Sequence, residues 1–255
     1  MEDTVGTVAA IMQPTYLPWI GYFDLIDSAD QFVFLDDAQV LKRSWGVRNR
    51  ILAQNGETFL TVPLSGHTHG EGSAFVDTRI DSTQNWAKTQ LATIRHAYAK
   101  APHFADVFAS LEALLMAGHP TIGALNEDFI SSTALRIGVT TPFLKSSQLQ
   151  GVEGRKDERL VSICRAIGAS TYLSAPGSAA YIEQEREGGA FAGSGIAILY
   201  QSFDHPVYPQ RRDGFVSHMS IVDLLMNCGY DSALEIVRSG RRRALTPSEL
   251  RESMA

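Results

Sequence analysis

Two cysteines in 255 residues, Cys164 and Cys228, are too few and too far apart to build a disulfide framework. Both lie in apolar stretches, which predicts buried, reduced thiols. No apolar run approaches the roughly 20 residues that a membrane span needs. The start, Met1-Glu2-Asp3, carries acid where a signal peptide carries positive charge. A cytoplasmic protein without membrane insertion is therefore expected. Basic charge is also short: the net charge is −6 and the pI about 5.6. Binding by phosphate neutralisation needs a basic face, so no nucleic-acid partner is expected. A local cluster of Lys and Arg still suffices for a small anion. There is no internal repeat and no low-complexity tract. Gly-x-Ser-x-Gly, His-Glu-x-x-His, Walker and dinucleotide fingerprints are all missing.

What is present reads as a folded α/β chain. Hydrophobic residues make up 44% and charged residues 20%, enough apolar material for a large core. Val5–Met12 and Gln31–Leu35 are apolar runs without helical period, which predicts buried strands. Between them the spacing of Tyr22, Phe23, Leu25 and Ile26 predicts a short helix, so these residues form one βαβ unit. Thr58–Pro63, Thr141–Lys145, Ser170–Ser174 and Ile196–Tyr200 are further predicted strands. Helical periodicity covers Trp86–Tyr98, Phe104–Met116, Leu125–Ile137 and Lys156–Ile167, and a last core helix starts at Ser220 and is closed by Gly229. Strands alternating with helices predict a mainly parallel, Rossmann-like sheet flanked by helices. The expected organisation is a single α/β domain over 1–238, with a helical lobe at about 84–138 and a loosely held tail over 239–255.

Ligands of open parallel sheets sit beyond the carboxyl ends of the strands, often against a helix N-terminus. That rule points to two loops. The first, after Met12, holds Gln13, Tyr16, Pro18, Trp19 and Tyr22, with Gly21 offering close backbone approach to a ligand. The second holds Asp36 and Asp37 at a strand end, then Gln39, Lys42, Arg43, Asn49 and Arg50. Adjacent carboxylates can orient an amine, take its proton or hold Mg²⁺. The cations suit a phosphate or carboxylate. His67-Thr68-His69 lacks a third ligand and reads as a polar loop, so no metal site is expected. Ser220 and Asp223 have the spacing of a capping box, and Asn227 near Gly229 reads as helix-end chemistry.

Met12-Gln13-Pro14-Thr15-Tyr16-Leu17-Pro18-Trp19-Ile20-Gly21-Tyr22-Phe23, with Leu35–Gln39, Lys42–Trp45 and Arg48–Arg50, resembles the WbqC-like family. The resemblance continues through Trp86, Tyr98, Ser146-Ser147, Tyr172-Leu173-Ser174, Tyr181 and Tyr208-Pro209-Gln210, and ends in Ser220–Gly229. Ala175-Pro176 departs from it, since a glycine is usual there. The resemblance implies a biosynthetic enzyme of bacterial O-antigen, other surface-polysaccharide or natural-product assembly, with transfer of glycine to a sugar as one activity. A more distant likeness, in element order, is to nucleotidyltransferases of the HIGH class, which implies a HUP-type sheet. Trp19-Ile20-Gly21-Tyr22 stands where those proteins carry His-x-Gly-His, so the glycine is kept and both histidines are lost.

The leading expectation is an amide-forming transferase or ligase that attaches an amino-acid-type acyl group to an amine such as an amino sugar. Asp36, Asp37, Tyr22 and Lys42 are expected to carry the chemistry, one aspartate accepting the proton of the attacking amine. Lys42, Arg43 and Arg50 would hold an anionic activated donor, and Gln13 and Tyr22 would orient the acceptor. Tyr16, Pro18, Gly21, Gln39 and Asn49 would complete one cleft, closed by Tyr181, Tyr208 and Gln210, with His205 and His218 nearby. ATP with Mg²⁺ is a candidate source of activation. The alternatives are an ATP-dependent nucleotidyltransferase, and a non-catalytic sugar- or metabolite-binding subunit that stacks its ligand on the loop aromatics.

Overall fold

A computed structural model describes residues 6–66, 72–212 and 214–254, so the His67-Thr68-His69 motif lies outside the described residues. The chain runs β1 (Val8–Met12), α1 (Ile20–Asp27), β2 (Gln31–Phe34), β3 (Arg48–Ala53), β4 (Gly56–Thr61), then α2 (Trp86–Tyr98), α3 (Phe104–Met116) and α4 (Ile122–Ile137). It continues with β5 (Phe143–Lys145), α5 (Lys156–Ala166), β6 (Thr171–Ser174), α6 (Ala179–Ile182), β7 (Ala197–Phe203), α7 (Ile221–Ser239), β8 (Arg241–Leu245) and α8 (Pro247–Met254). Six strands form one sheet in the order β5-β2-β1-β6-β7-β8. All its pairings are parallel except β7 with β8. This is a Rossmann-like α/β sheet. Strand order reverses between β1 and β6, which places a crevice at the carboxyl ends of those two strands.

Side-chain alternation along the strands builds a core on each face. Ala10, Phe32, Phe34 and Leu173 join the core that also takes α1, α4 and α7. Ala9, Ile11, Val33 and Tyr172 point the other way, into a second core with Leu160, Cys164 and Ile182 from α5 and α6. Burial on both faces is why these strands read as continuous apolar runs rather than alternating ones.

Three predicted boundaries are corrected by the structure. The Thr58–Pro63 strand exists, but β4 pairs antiparallel with β3 in a separate two-stranded sheet. Arg48, Asn49 and Arg50, expected in a loop, open β3. Gly229 does not end the last helix: it adopts φ 78° and ψ 174°, kinks α7, and the helix resumes to Ser239. A Cβ there would lie 2.7 Å from the His103 ring, so the glycine supplies both the bend and the space.

The segment expected as a loosely held tail is part of the sheet. β8 pairs with β7, and Arg241 binds Asp24 and Asp27 of α1. Asp27 also pairs with Arg238, and Asp24 accepts from Gln201 Nε2 at 2.7 Å. Arginines at 241–243 look like a solvated run in sequence, yet two of the acids they need lie more than 200 residues away. Burial raises the Asp27 pKa, but the hydrogen bonds from Arg238 and Arg241 outweigh it and hold the carboxyl below its ordinary 3.8. A depressed folded pKa contributes stability above the unfolded value and loses it as pH falls through the folded one. Wild type should therefore exceed Asp27→Asn by about 2 kcal/mol at pH 6. That gap should close below about pH 3.8. Urea titrations across this range read it, and a gap independent of pH would remove the ion pair as its cause.

Candidate functional site

β2 and β5 are neighbours, with Phe34 opposite Lys145, so the residues after each strand leave the sheet side by side. Asp36 is fully buried there. Its carboxylate accepts from Ser147 N at 2.9 Å and Ser147 Oγ at 2.5 Å, with Ser146 Oγ 3.1 Å away. Asp37 is half-buried, accepts from Ser146 Oγ at 2.6 Å and pairs with Arg159 of α5. Ser146 has one proton for two carboxylates, and the shorter distance assigns it to Asp37. Asp36 thus fixes the turn after β5, while Asp37 keeps an edge toward solvent.

A second acid lies close by. Lys145, the last residue of β5, pairs with the nearly buried Glu127 of α4. Burial raises the Glu127 pKa, Lys145 lowers it, and the Asp36 charge raises it again, leaving it above the ordinary 4.5. Burial, and then the nearby Glu127, push the Tyr22 hydroxyl well up, and it donates to the Gln13 carbonyl at 3.0 Å. Gln13 itself is exposed at the carboxyl end of β1. The edge therefore presents Gln13, Asp37, Arg159 and Ser147 at the surface, over a buried layer of Asp36, Glu127 and Tyr22. Among the described residues no three His, Cys, Asp or Glu side chains come together to hold a metal.

The other predicted residues are distributed over different neighbourhoods. Tyr16 is fully buried and donates to Gln90 of α2 at 2.5 Å. Asn49 is a clamp: its Nδ2 donates to the carbonyls of Tyr16 and Leu17 at 3.0 and 2.9 Å. This holds Leu17 in the left-handed region at φ 43°. Pro18 is buried, and its carbonyl accepts from Ile221 N. Gly21 makes room for an indole rather than a ligand, since a Cβ would lie 2.2 Å from the Trp19 ring. That indole stacks against His218 and His205, with centroids 4.9 and 5.9 Å away.

Lys42 and Arg43 line a hollow of about 480 Å³ with Val47, Thr61 and Leu64, beside the two-stranded sheet. Arg50 pairs with Glu57 of β4. Gln39 is exposed and bridges to Ala74. Tyr181 sits on α6, where burial raises its pKa and Ser178 lowers it. A cation that meets Asp37 is Arg159, which in the sequence looks like an ordinary helix residue. Glu127 was missed in the same way, and only the Ser146-Ser147 pair at the end of a predicted strand signalled this neighbourhood.

Tyr208 and Gln210 converge on Asp223 instead. Its carboxylate is buried and accepts from Tyr98 Oη at 2.7 Å, Gln210 Nε2 at 2.8 Å and Tyr208 Oη at 3.0 Å. Burial raises the Asp223 pKa against these three hydrogen bonds. The predicted capping box is half correct: Ser220 Oγ accepts from Val222 N, but Asp223 serves the tyrosines and not the helix start. Asn227 Nδ2 donates back to the Asp223 carbonyl at 2.7 Å.

A mostly parallel sheet with a reversal of strand order, and a polar carboxyl edge between β1, β2 and β5, define a Rossmann-like α/β protein. The model of the WbqC-like protein family matches residues 13–235, and the chain belongs to that family. It is 33% identical over 227 residues to an uncharacterized protein of Mycobacterium tuberculosis, Rv1507c. That match covers 88% of this chain and 94% of the mycobacterial protein. No solved structure matches. No helix among the described residues is long and apolar enough to cross a membrane.

Proposed function

We propose that this protein is a biosynthetic enzyme that forms an amide, attaching an activated amino-acid-type acyl group such as glycyl to an amine such as an amino sugar. Surface-polysaccharide or natural-product assembly is the setting its family suggests. The observation that carries the reading is the Asp36–Asp37 pair. One carboxylate is locked by serines and the other keeps an edge toward solvent beside a guanidinium, at the carboxyl ends of β2 and β5, on the same sheet edge as the crevice between β1 and β6. In this scheme the amine nitrogen attacks the acyl carbon and its proton passes to Asp37. The bond to the leaving group breaks, and the leaving group departs with that electron pair. Arg159 stabilises negative charge on the carbonyl oxygen or the leaving group. Gln13 orients the acceptor from the β1 side.

Two rival readings lose their supports. Nucleotidyl transfer of the HIGH type would seat phosphates at the start of α1, where the Trp19 indole lies against Gly21. Sugar stacking in a binding subunit would use loop aromatics, yet Tyr16 and Tyr22 are buried and Trp19 is covered by two imidazoles. The reading is tested by incubating the chain with amino sugars and either glycine plus ATP and Mg²⁺, glycyl thioester or glycyl-tRNA. Mass spectrometry should show a glycyl amide with one of these donors. Absence of acylated product with all of them would count against amide formation by glycyl transfer.

A further inference from the structure

One face of α2 carries Lys88, Arg95 and His96, and Lys100 follows just past its end, with the small Ala92 and Ala99 between them. The alanines leave a hollow that Phe108, Glu112 and Met116 of α3 wall on the other side, and Gln54 and Arg211 complete it. The cavity measures about 810 Å³, within the range of about 300–1,000 Å³ that small-ligand sites occupy. A recess of about 90 Å³ shares Gln54 and Arg211 with it and runs in toward Asp223, past Arg212.

Four basic side chains, Lys88, Arg95, Lys100 and Arg211, line this one cavity. Among the described residues, Lys88, Lys100 and Arg211 form no ion pair or hydrogen bond. Several basic side chains elsewhere do meet carboxylates, as Arg136 meets Asp106 and Arg251 meets Glu183. Arg95 is held without a carboxylate, its guanidinium 4.3 Å from the centre of the Phe108 ring. Four cations converge on one space against a single Glu112, in a protein of net charge −6. Bringing like charges together opposes folding, and a multiply charged anion relieves that repulsion. Leu91, Ala92, Phe108 and Met116 offer an apolar wall for the rest of such a ligand.

We propose that this cavity binds an organic diphosphate, with Lys88, Arg95, Lys100 and Arg211 on the phosphates and the apolar wall against the organic group. The cavity shares no lining residue with the Asp36–Asp37 edge. Isothermal titration calorimetry with ADP, UDP and inorganic pyrophosphate tests it on the full chain. At least one nucleotide should bind one-to-one and more tightly than pyrophosphate, with affinity falling about tenfold between about 50 and 500 mM NaCl. Lys100→Gln with Arg211→Gln should weaken it at least about tenfold at unchanged thermal stability, because both side chains are exposed and unpartnered. Asp37→Asn should bind as wild type does. The proposal is overturned if no probe saturates, if the double variant binds equally well, or if single-stranded RNA binds while all three probes fail.

Discussion

Asp223→Ala should lower the free energy of unfolding by about 3–5 kcal/mol, because it strips several buried hydrogen-bond donors of their acceptor. Two hydroxyls and one amide lose a shared acceptor, from Tyr98 of α2, Tyr208 and Gln210. Each buried donor left without a partner costs about 1–3 kcal/mol. The network ties α2 to α7 and to the segment after β7, and Tyr98 Oη also accepts from Leu52 N of β3. Its loss is therefore felt in the helices and in the two-stranded sheet together. Asp223→Asn keeps the volume but replaces one acceptor oxygen by an NH₂ donor, so a smaller loss is expected. Urea denaturation of both variants reads the effect, and an alanine variant as stable as wild type would deny the carboxylate its structural role.

The class of fold was legible because fully buried parallel strands carry their signal in short apolar runs, and β1, β2, β6 and β7 have it. β3 was hidden because Arg48, Asn49 and Arg50 look like loop residues. Asn49 is buried only through its bonds to Tyr16 and Leu17, which no local pattern announces. β8 was hidden by its arginines, whose partners come from α1. In the candidate site, Asp36 and Asp37 were visible as a charged pair at a strand end. Their serine and arginine partners come from segments more than 100 residues later, so the placement of β5 beside β2 had to be known first. The aromatics of the first loop misled for the opposite reason: residues that suit a ligand platform also suit a core, and only burial separates the two uses.

Asp37→Asn should reduce amide formation by about 100- to 10,000-fold, the usual contribution of a positioned general base. The change removes the proton acceptor and leaves a side chain of the same shape beside Ser146 and Arg159. Because Asp37 is only half-buried, folding should be little affected. Asp36→Asn should behave differently. That carboxylate accepts from the Ser147 amide and hydroxyl, so its replacement puts an amide donor against donors and loosens the turn after β5. A loss of about 2–3 kcal/mol in stability is expected, with activity falling through disorder of the edge.

The most direct test is to measure turnover and unfolding free energy on wild type, Asp36→Asn and Asp37→Asn in parallel, with the acyl donor and amine that give product. Asp37→Asn should keep near wild-type stability and lose at least about two orders of magnitude in kcat. Asp36→Asn should lose stability first, with activity partly restored at lower temperature. Full turnover in a folded Asp37→Asn variant would contradict the central claim that the reaction is run from the half-buried aspartate at the carboxyl edge of the sheet.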